Sequence, residues 1–497
     1  NRPTEWRVIE SMECKVIPFQ TAAKRDKTDA NKAEALLSQA MEGFHKKLVV
    51  LDDDPTGVQT VHDVSVYTDW EEESIRKGFE EKESMFFILT NSRSFSVEKT
   101  TRVHQDIASR VCKVAEELGQ DFMIISRGDS TLRGHYPLET QILADGLSGN
   151  LTHNAIDGEI ICPFFPEGGR YTMDNIHYVK EQDILIPAGM TEFAKDKTFG
   201  YKSSDLTEYV EEKTEGKYNK QDCITVSLEE LNALNVQKIK ARLMSAQNMT
   251  KIIVNAVSYA DLKVFCAALV LAMKEGKRYL ARTAAAFTKV IGRISDQPLL
   301  GKEQLEVGSS ENEASGTTGV NGGIVLIGSH VKKTTDQLNC LKELDGQIDF
   351  MEFQVNTVFE ENGLEKEVER TVKAAEEKLL FGRTVVIYTS RQLLAPENMT
   401  PEEKLQISVK ISNAVTSIIG KLSVKPKFII AKGGITSSDV GTKALHVKKA
   451  RVMGQVKKGI PVWMTGEESK FPGMPYIIFP GNVGEVSTLK EIVEELL

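Results

Sequence analysis

The chain has few cysteines for its length, and none of them are paired in a metal-binding or redox spacing. Six cysteines are spread over 497 residues without a CxxC motif, which is typical of reduced thiols in a cytoplasmic protein and excludes a disulfide framework. The eight histidines are equally dispersed and form no HxxxH or HExxH motif. We therefore expect a cytoplasmic protein without a histidine-ligated metal site.

Long apolar runs and blocks of basic residues are also missing. No apolar stretch approaches the ~18 residues of a membrane helix, and residues 1–46 are polar and charged, so we expect neither a membrane span nor a secretory signal. A net charge of −9 without a basic block argues against a nucleic-acid partner. A small-molecule ligand remains as the expected partner.

Several common nucleotide-binding and catalytic signatures are absent. The chain has no GxxxxGK[ST] loop, no GxGxxG after the first strand of either predicted sheet, no GxSxG elbow and no HRD/DFG pair. If this protein binds ATP, it must use a different set of loops.

The length of the chain predicts two domains, since one core rarely exceeds ~250–300 residues. The segment 299–322 is rich in Gly, Ser, Glu and Thr and has almost no apolar periodicity, so it is interpreted as a linker. We predict an N-terminal extension over 1–46, with a helix at 30–45, a first domain over 47–298 and a second domain over 323–497.

Short apolar runs alternate with amphipathic segments in both predicted domains. Such alternation predicts an α/β fold in which each domain has a largely parallel sheet flanked by helices. The predicted strands are 48–51, 85–90, 121–126, 159–162, 251–256, 323–328, 383–388, 427–431 and 475–479. The predicted helices are 98–119, 261–275, 364–380, 401–422 and 485–497.

The segment LVVLDDDPTG at 48–57 places three consecutive acids directly after an apolar strand. Adjacent carboxylates repel one another unless a cation or hydrogen-bond donors face them. Ligands of open α/β sheets bind beyond the carboxyl ends of strands, where these acids would lie. The alternative is a solvated acidic loop.

Two further polar loops follow strands of the same predicted sheet. SRGDSTLRGH at 126–135 contains two arginines, whose planar forks suit carboxylate or phosphate, and a central acid that could orient a substrate hydroxyl. NSRS at 91–94 is weak alone but would converge with the other two. The alternative for 126–135 is an Arg–Asp pair that stabilises a structural loop.

Three glycine-containing loops follow predicted strands of the second domain. They are GSHVKKTT at 328–335, KGGITSSDV at 432–440 and PGNVG at 480–484. Glycines permit close backbone approach to phosphate, and exposed amides and hydroxyls favour anions. Together they suggest a nucleotide site, against the alternative of three unrelated turns.

In order and content, these loops resemble those of the four-carbon acid sugar kinase family. The matching strings are LDDDPTG at 51–57, NSRS at 91–94, SRGDSTLRGH at 126–135, TEFAKDKTFGY at 191–201, GSH with KTT and QL at 328–338, KGGITSSDV at 432–440 and PGNVG at 480–484. The resemblance extends over roughly 48–497 and leaves residues 1–46 outside.

This resemblance implies a sugar-acid-binding first domain and a nucleotide-binding second domain. Members transfer the γ-phosphate of ATP, with Mg²⁺, to the terminal hydroxyl of threonate, erythronate or 3-oxo-tetronate, so a cytoplasmic enzyme of carbohydrate metabolism is implied, with a homodimer favoured. The substrate side would comprise Asp53, Asp54, Thr56, Gly57, Asn91, Ser92, Arg93, Arg127, Asp129, Arg133, Gly134 and His135. The nucleotide side would comprise Ser329, Gly433, Gly434, Ile435, Thr436, Gly481 and Asn482.

The chemistry of the matched side chains suggests a role for several of them. Arg127 or Arg133 would bind the substrate carboxylate, and Asp53 or Asp54 would hold hydroxyls. Phosphoryl transfer is mostly positioning and charge neutralisation; the carboxylate that orients the reacting hydroxyl is Asp129 or, as second choice, Asp54.

The sequence leaves open the roles of two residues and the class of the whole protein. His135 could be a satisfied loop histidine, and Lys432 could contact phosphate or be a surface lysine. The whole protein could instead be a non-catalytic sugar-acid sensor, or an ATP-dependent carboxylate ligase that uses the same loops.

Overall fold

The computed structural model describes residues 14–150, 155–306, 321–329, 331–392, 399–481 and 483–497. Asn482, most of the predicted linker and the beginning of the predicted N-terminal extension therefore lie outside the described residues. Within the described ranges, no helix combines the length and the apolarity needed to cross a membrane, and all six cysteines are free thiols.

Strands and helices alternate along most of the chain. The strands are β1 Ile17–Pro18, β2 Lys47–Asp52, β3 Ser65–Tyr67, β4 Met85–Leu89, β5 Phe122–Arg127, β6 Gly158–Cys162, β7 Arg170–Met173, β8 Ile176–Glu181, β9 Ile184–Pro187, β10 Ile224–Val226, β11 Thr250–Val254, β12 Tyr279–Thr283, β13 Ile324–Ile327, β14 Asp349–Phe353, β15 Val385–Thr389, β16 Ile429–Lys432, β17 Lys449–Lys457, β18 Ile460–Thr465 and β19 Pro475–Phe479.

The α-helices include long amphipathic ones that cover the sheets and shorter connecting ones. They are α1 Gln20–Arg25, α2 Ala30–Met41, α3 Glu72–Glu80, α4 Val97–Leu118, α5 Leu138–Asn150, α6 Leu206–Lys213, α7 Leu228–Asn232, α8 Val236–Met244, α9 Tyr259–Lys274, α10 Ala285–Ile291, α11 Lys302–Glu306, α12 Lys332–Leu341, α13 Gly363–Leu380, α14 Pro401–Lys421, α15 Gly434–Asp439 and α16 Thr488–Leu496.

The chain forms two compact units whose limits cross the predicted first domain. The first unit comprises the described residues of 1–44, 129–148 and 152–290, and the second those of 45–128, 149–151 and 291–497. The chain passes from one unit to the other inside the loop 126–135. The start of the predicted linker forms α11 and buries Leu300 and Leu305 in the second unit's core. The limits of the linker and of the two domains stay predictions.

The first unit is built on a parallel sheet in the order β10-β11-β6-β12. The inner strands β6 and β11 are almost entirely buried, as expected for parallel strands covered on both faces. A smaller antiparallel sheet in the order β1-β9-β8-β7 takes its first strand from the predicted extension. The predicted helix at 30–45 is present as α2, which packs against α9.

The second unit contains two blocks of parallel strands. The first block has the order β5-β2-β4-β3, and the second has the order β19-β16-β13-β15-β14. The antiparallel strands β17 and β18 join them, because β17 pairs with β3 and β18 pairs with β19. The predicted α/β class with largely parallel sheets is confirmed.

The strands that are absent from the sequence prediction are mostly the antiparallel ones. Continuous apolar runs, on which the prediction depends, mark strands that are buried on both faces. In β17, buried and more exposed side chains alternate instead, and the pairing register shifts near Gly454. An alternation with a period of two residues, interrupted by a glycine, is the signal that identifies such a hairpin.

A buried cross-strand ion pair in the first unit provides a test of this fold. Lys251 in β11 lies directly opposite Glu159 in β6, and their side chains contact each other while being almost fully shielded from solvent. Lys251→Met leaves the Glu159 charge buried without its partner, so we expect a loss of ~3–5 kcal/mol in the free energy of unfolding. Denaturant titration measures this loss.

The matched control is the double variant Glu159→Leu with Lys251→Met, which removes both charges. Its stability should lie closer to that of the wild type than the single variant does. A double variant as unstable as Lys251→Met would show that the pair contributes through packing and not through charge.

Candidate functional site

The three acids of the 52–54 segment lie at the carboxyl end of β2 and face an arginine from β5. Asp52 pairs in register with Arg127 on the neighbouring strand. Nη1 of Arg127 lies 3.1 Å from Asp52, 3.5 Å from Asp53 and 3.9 Å from Asp54, measured to carboxylate oxygens. The Arg127 side chain is only 5% exposed. The alternative of a solvated acidic loop is therefore wrong.

A second arginine reaches the same acids from the loop after β4. Arg93 donates from Nε and Nη2 to the two oxygens of Asp53, at 3.1 and 2.7 Å, and from Nη1 to Asp54 at 2.8 Å. The loop places it there because Asn91 adopts the left-handed conformation and Ser92 is fully buried. Arg93 and Asp54 form the exposed edge of the cluster, since 23% and 19% of their side-chain surfaces are accessible to solvent.

Charge balance decides the protonation of this cluster. Two guanidinium groups face three carboxylates, so one carboxylate has no cation of its own. Burial raises the pKa of Asp52 to about 8, and the attraction of Arg127 offsets this only in part. Burial acts on Asp54 in the same direction, but Arg93 and Arg127 outweigh it and lower the pKa of Asp54. Asp52 is thus the acid that carries a proton near neutral pH.

The turn after the acids closes tightly over Asp52. The backbone amide and hydroxyl of Thr56 both donate to Asp54. A Cβ atom on Gly57 would lie 2.0 Å from a carboxylate oxygen of Asp52, so a side chain at position 57 would displace that acid.

The rest of the 126–135 loop belongs to the first unit, where Asp129 pairs with Arg133. Nε of Arg133 donates to Asp129 at 2.7 Å, and the Thr131 hydroxyl donates to the same carboxylate oxygen. The Asp129 side chain is 12% exposed, so the pair is open at one edge. Gly134 permits the turn that follows, with φ of +132°.

Three buried rings hold this loop by its carbonyl groups. His177 contacts the carbonyl of Ser130 at 2.7 Å, and the hydroxyls of Tyr201 and Tyr209 donate to the next two carbonyls at 2.7 and 3.0 Å. Burial lowers the pKa of His177 to about 4, so this ring is neutral. The loop backbone is therefore fixed on one side while Asp129 and Arg133 keep their exposed edge.

The segment 191–201 supports the same loop from a different side. Phe193 lies under the Arg133 guanidinium, with 5.0 Å from Cζ to the ring centroid. Phe199 meets His135 edge to face at 4.9 Å, and His135 is buried. These contacts favour the interpretation of His135 as a satisfied loop histidine.

Two of the three glycine loops in the second unit meet around a cavity of about 520 Å³. A Cβ atom on Gly328 would lie 2.3 Å from the Thr436 hydroxyl, and one on Gly433 would lie 3.1 Å from Ser329. Gly434 has open space at its Cβ position. The described lining residues are Gly328, Ser329, Val355, Thr389, Arg391, Ser408, Ile411, Ser412, Val415, Gly433, Gly434, Ile435 and Thr436.

Lys432 connects the second glycine loop to the third. Its ammonium group is fully buried and donates to the carbonyls of Pro480 and Gly481 at 2.6 and 3.1 Å. Burial, with repulsion from Lys333 as a second cause, lowers the pKa of Lys432 to about 7. The alternative of a surface lysine is therefore wrong. Gly481, which follows β19, thus contacts the end of β16 through Lys432, whereas Asn482 lies outside the described residues.

Arg391 is a cavity residue that is missing from the sequence prediction. It follows β15 by two residues, and its Nη1 donates to the carbonyl of Ser329 at 2.5 Å. The predicted strand 383–388 ends just before it, so the strand-end rule that selected the other loops also points to Thr389, Ser390 and Arg391. In the described part of the chain, no group of three or more histidine, cysteine or acidic side chains is arranged to hold a metal ion.

Comparison with known proteins assigns a domain type to each half of the chain. Residues 48–291 match the family model of a sugar-binding N-terminal domain, and residues 324–489 match that of a nucleotide-binding C-terminal domain. No curated protein sequence matches the chain.

Two solved structures have a similar fold. A protein of Salmonella typhimurium LT2, provisionally named a tRNA synthase, is 13% identical with a TM-score of 0.62, over 90% of this chain and 98% of that one. A protein of Haemophilus influenzae is 17% identical with a TM-score of 0.57, over 90% of this chain and 100% of that one. At these identities the likeness shows the fold alone.

The protonation of Asp52 predicts how stability depends on pH. Its pKa of about 8 in the folded chain lies above the ordinary 3.8, so its contribution to stability is complete below pH ~4 and is lost as the pH rises to about 8. In Asp52→Asn the side chain at position 52 is uncharged at every pH, so this variant has no such pH-dependent loss of stability. Between about pH 5 and 8, the wild type should lose stability relative to this variant in denaturant titrations. Parallel stability curves would contradict a protonated Asp52.

Proposed function

Because the chain belongs to the four-carbon acid sugar kinase family, with its sugar-binding and nucleotide-binding domains in that order, we propose that it is an ATP-dependent sugar-acid kinase. The product would be a phosphate ester on the terminal hydroxyl of threonate, erythronate or 3-oxo-tetronate. The observation that carries the nucleotide half of this proposal is the cavity beside Gly328, Ser329 and Gly433–Thr436.

The cavity has the size and chemistry that a nucleotide requires. Its volume of about 520 Å³ lies within the usual range of small-molecule sites. Gly433 and Gly434 present backbone without side chains, and Ser329 and Thr436 add hydroxyl groups, which suits the approach of phosphate oxygens. Apolar side chains from Val355, Ile411 and Val415 provide a wall for a nucleobase.

The sugar-acid half of the proposal rests on the Asp–Arg arrangements of the 52–54 and 126–135 segments, which lie in the part of the chain that matches the sugar-binding domain. Arg127 is occupied by the three acids of the 52–54 segment. Arg133 has an exposed edge and is therefore the arginine that we assign to the substrate carboxylate. Asp129, which is also partly exposed, is assigned to orient the reacting hydroxyl and accept its proton.

Asp54 and Arg93 form the exposed edge of the other arrangement. They are assigned to the remaining substrate hydroxyls, because a carboxylate accepts and a guanidinium donates hydrogen bonds. Asp53 is held by both nitrogens of the Arg93 fork and by Arg127, so its role in this proposal is to position Arg93. Mg²⁺ bound with ATP would neutralise charge on the phosphates.

A substrate screen tests the proposed activity directly. The protein is incubated with ATP, Mg²⁺ and a panel of four- to six-carbon sugar acids, and products are identified by mass. A stable phosphate ester from a four-carbon acid is the expected result. An acyl phosphate or AMP would instead identify a carboxylate ligase, and binding without any product would identify a sensor.

Asp129→Asn tests the assigned role of this carboxylate. Because an amide cannot accept the hydroxyl proton, we expect turnover to fall by at least ~100-fold, while the melting temperature changes little. Asp145→Asn, an exposed acid on α5 that pairs with Gln141, is the matched control and should retain full activity. Unchanged turnover in Asp129→Asn would remove Asp129 from the chemistry.

Gly434→Val combined with Thr436→Ala tests the assigned nucleotide site. The valine side chain would project into open space at the cavity wall, and the alanine removes a hydroxyl. ATP binding should therefore weaken more than sugar-acid binding, as measured by calorimetry with each ligand separately. Equal weakening of both would mean that the roles of the two domains are assigned wrongly.

A further inference from the structure

Arg391 carries two buried hydrogen-bond donors that no residue in the described part of the chain accepts. These are Nε and Nη2 of its guanidinium group. The remaining nitrogen, Nη1, is held by the carbonyl of Ser329 at 2.5 Å. Leaving buried donors of a charged group unsatisfied costs free energy, so these two donors call for an acceptor that the described residues do not supply.

The position of these donors indicates the chemistry of that acceptor. Arg391 lines the cavity, and it is the one charged side chain among the described lining residues. Nε and Nη2 point to the same side of the planar guanidinium and form the pair that binds two oxygens of a phosphate or carboxylate side by side. No described acid of the lining competes for that pair.

We infer that Arg391 binds phosphoryl oxygens of the nucleotide through Nε and Nη2. This inference deepens the proposed kinase function and rests on it for the identity of the ligand. Ser329, whose carbonyl fixes Nη1, lies next to Gly328 and against Gly433. The arginine fork is thus held at the glycine loops before the nucleotide binds, which reduces the entropy lost on binding.

The electrostatics of the free protein are consistent with this role. Burial lowers the pKa of Arg391, with only partial compensation from Tyr388 and Glu352. A guanidinium at that site gains more from an incoming dianion than a solvated surface arginine does, because the desolvation has already occurred.

Calorimetry on the full chain tests the inference with three probes: ADP, adenosine and inorganic pyrophosphate. Arg391→Gln removes the charge and the fork but retains an amide donor for the Ser329 carbonyl, and Arg391→Lys retains the charge without the fork. For ADP we expect the dissociation constant to rise ~10–100-fold in Arg391→Gln and less in Arg391→Lys. Adenosine, which has no phosphate, should bind to all variants within about 2-fold of the wild type.

A matched arginine elsewhere in the same unit provides the control. Arg370 is paired with Glu367 on α13, and Arg370→Lys should leave the binding of all three probes unchanged. Melting temperatures of all variants within a few degrees of the wild type show that the fold is retained. Equal weakening of ADP and adenosine, or no weakening of either, overturns the role of Arg391.

Pyrophosphate separates this inference from the proposed function. If the wild type binds pyrophosphate in an Arg391-dependent way but binds no ADP, the phosphate contact stands and the ATP-dependent kinase fails. If ADP binds and is unaffected in Arg391→Gln, the kinase proposal stands and Arg391 is wrongly assigned. If the wild type binds neither probe, both are overturned.

Discussion

Three adjacent carboxylates at the end of one buried strand form the constraint on which the surrounding loops depend. Two arginines compensate them, one from β5 and one from the loop after β4. Because those residues come from both neighbours of β2, the ends of three strands must lie in register for the charges to meet. The conformation of the 91–94 loop and the closeness of Gly57 to Asp52 both follow from this requirement. With a proton on Asp52, two charged carboxylates remain for the two guanidinium groups, so the charges of the cluster balance. Its exposed edge consists of the charged pair Arg93 and Asp54.

The cavity in the nucleotide-binding domain shows the opposite arrangement of charge. There a single half-buried arginine faces glycine backbone and hydroxyl groups, with no carboxylate among the described lining residues. The arginines of the acidic cluster are paired with carboxylates of the protein, whereas Nε and Nη2 of Arg391 have no acceptor among the described residues. Lys432 shows a third arrangement, since its amino group donates to two backbone carbonyls while burial lowers its pKa to about 7. The environment of a basic side chain thus differs between these places, according to whether carboxylates, carbonyls or no acceptors lie beside it.

Most of the parallel strands and the polar loops after them could be predicted from the sequence, because each of these strands is a short apolar run and each loop begins where that run ends. The parallel strands β10, β12 and β14 are not predicted, because β10 has three residues and the other two contain charged side chains. Physical reasons account for what escaped prediction. The strands of the β7–β9 sheet and the β17–β18 hairpin are antiparallel, and those with one exposed face lack a continuous apolar run. The burial of Lys432 depends on carbonyls almost 50 residues away, which no local pattern contains. Which of the three acids is protonated depends on how many arginines lie beside them, and only the folded structure shows that two arginines do.

The edge strand β3 of the first parallel block pairs with β17, which is synthesised almost 400 residues later. Ser65 pairs with Arg451, and Tyr67 pairs with Lys449, so the partner of β3 is made only after most of the chain has left the ribosome. Until then, the first parallel block has an open edge with unpaired amide and carbonyl groups, which are ready templates for other strands. The small size of β3 limits that hazard. The edge of the block that carries the acidic cluster is therefore covered only when β17 pairs with β3.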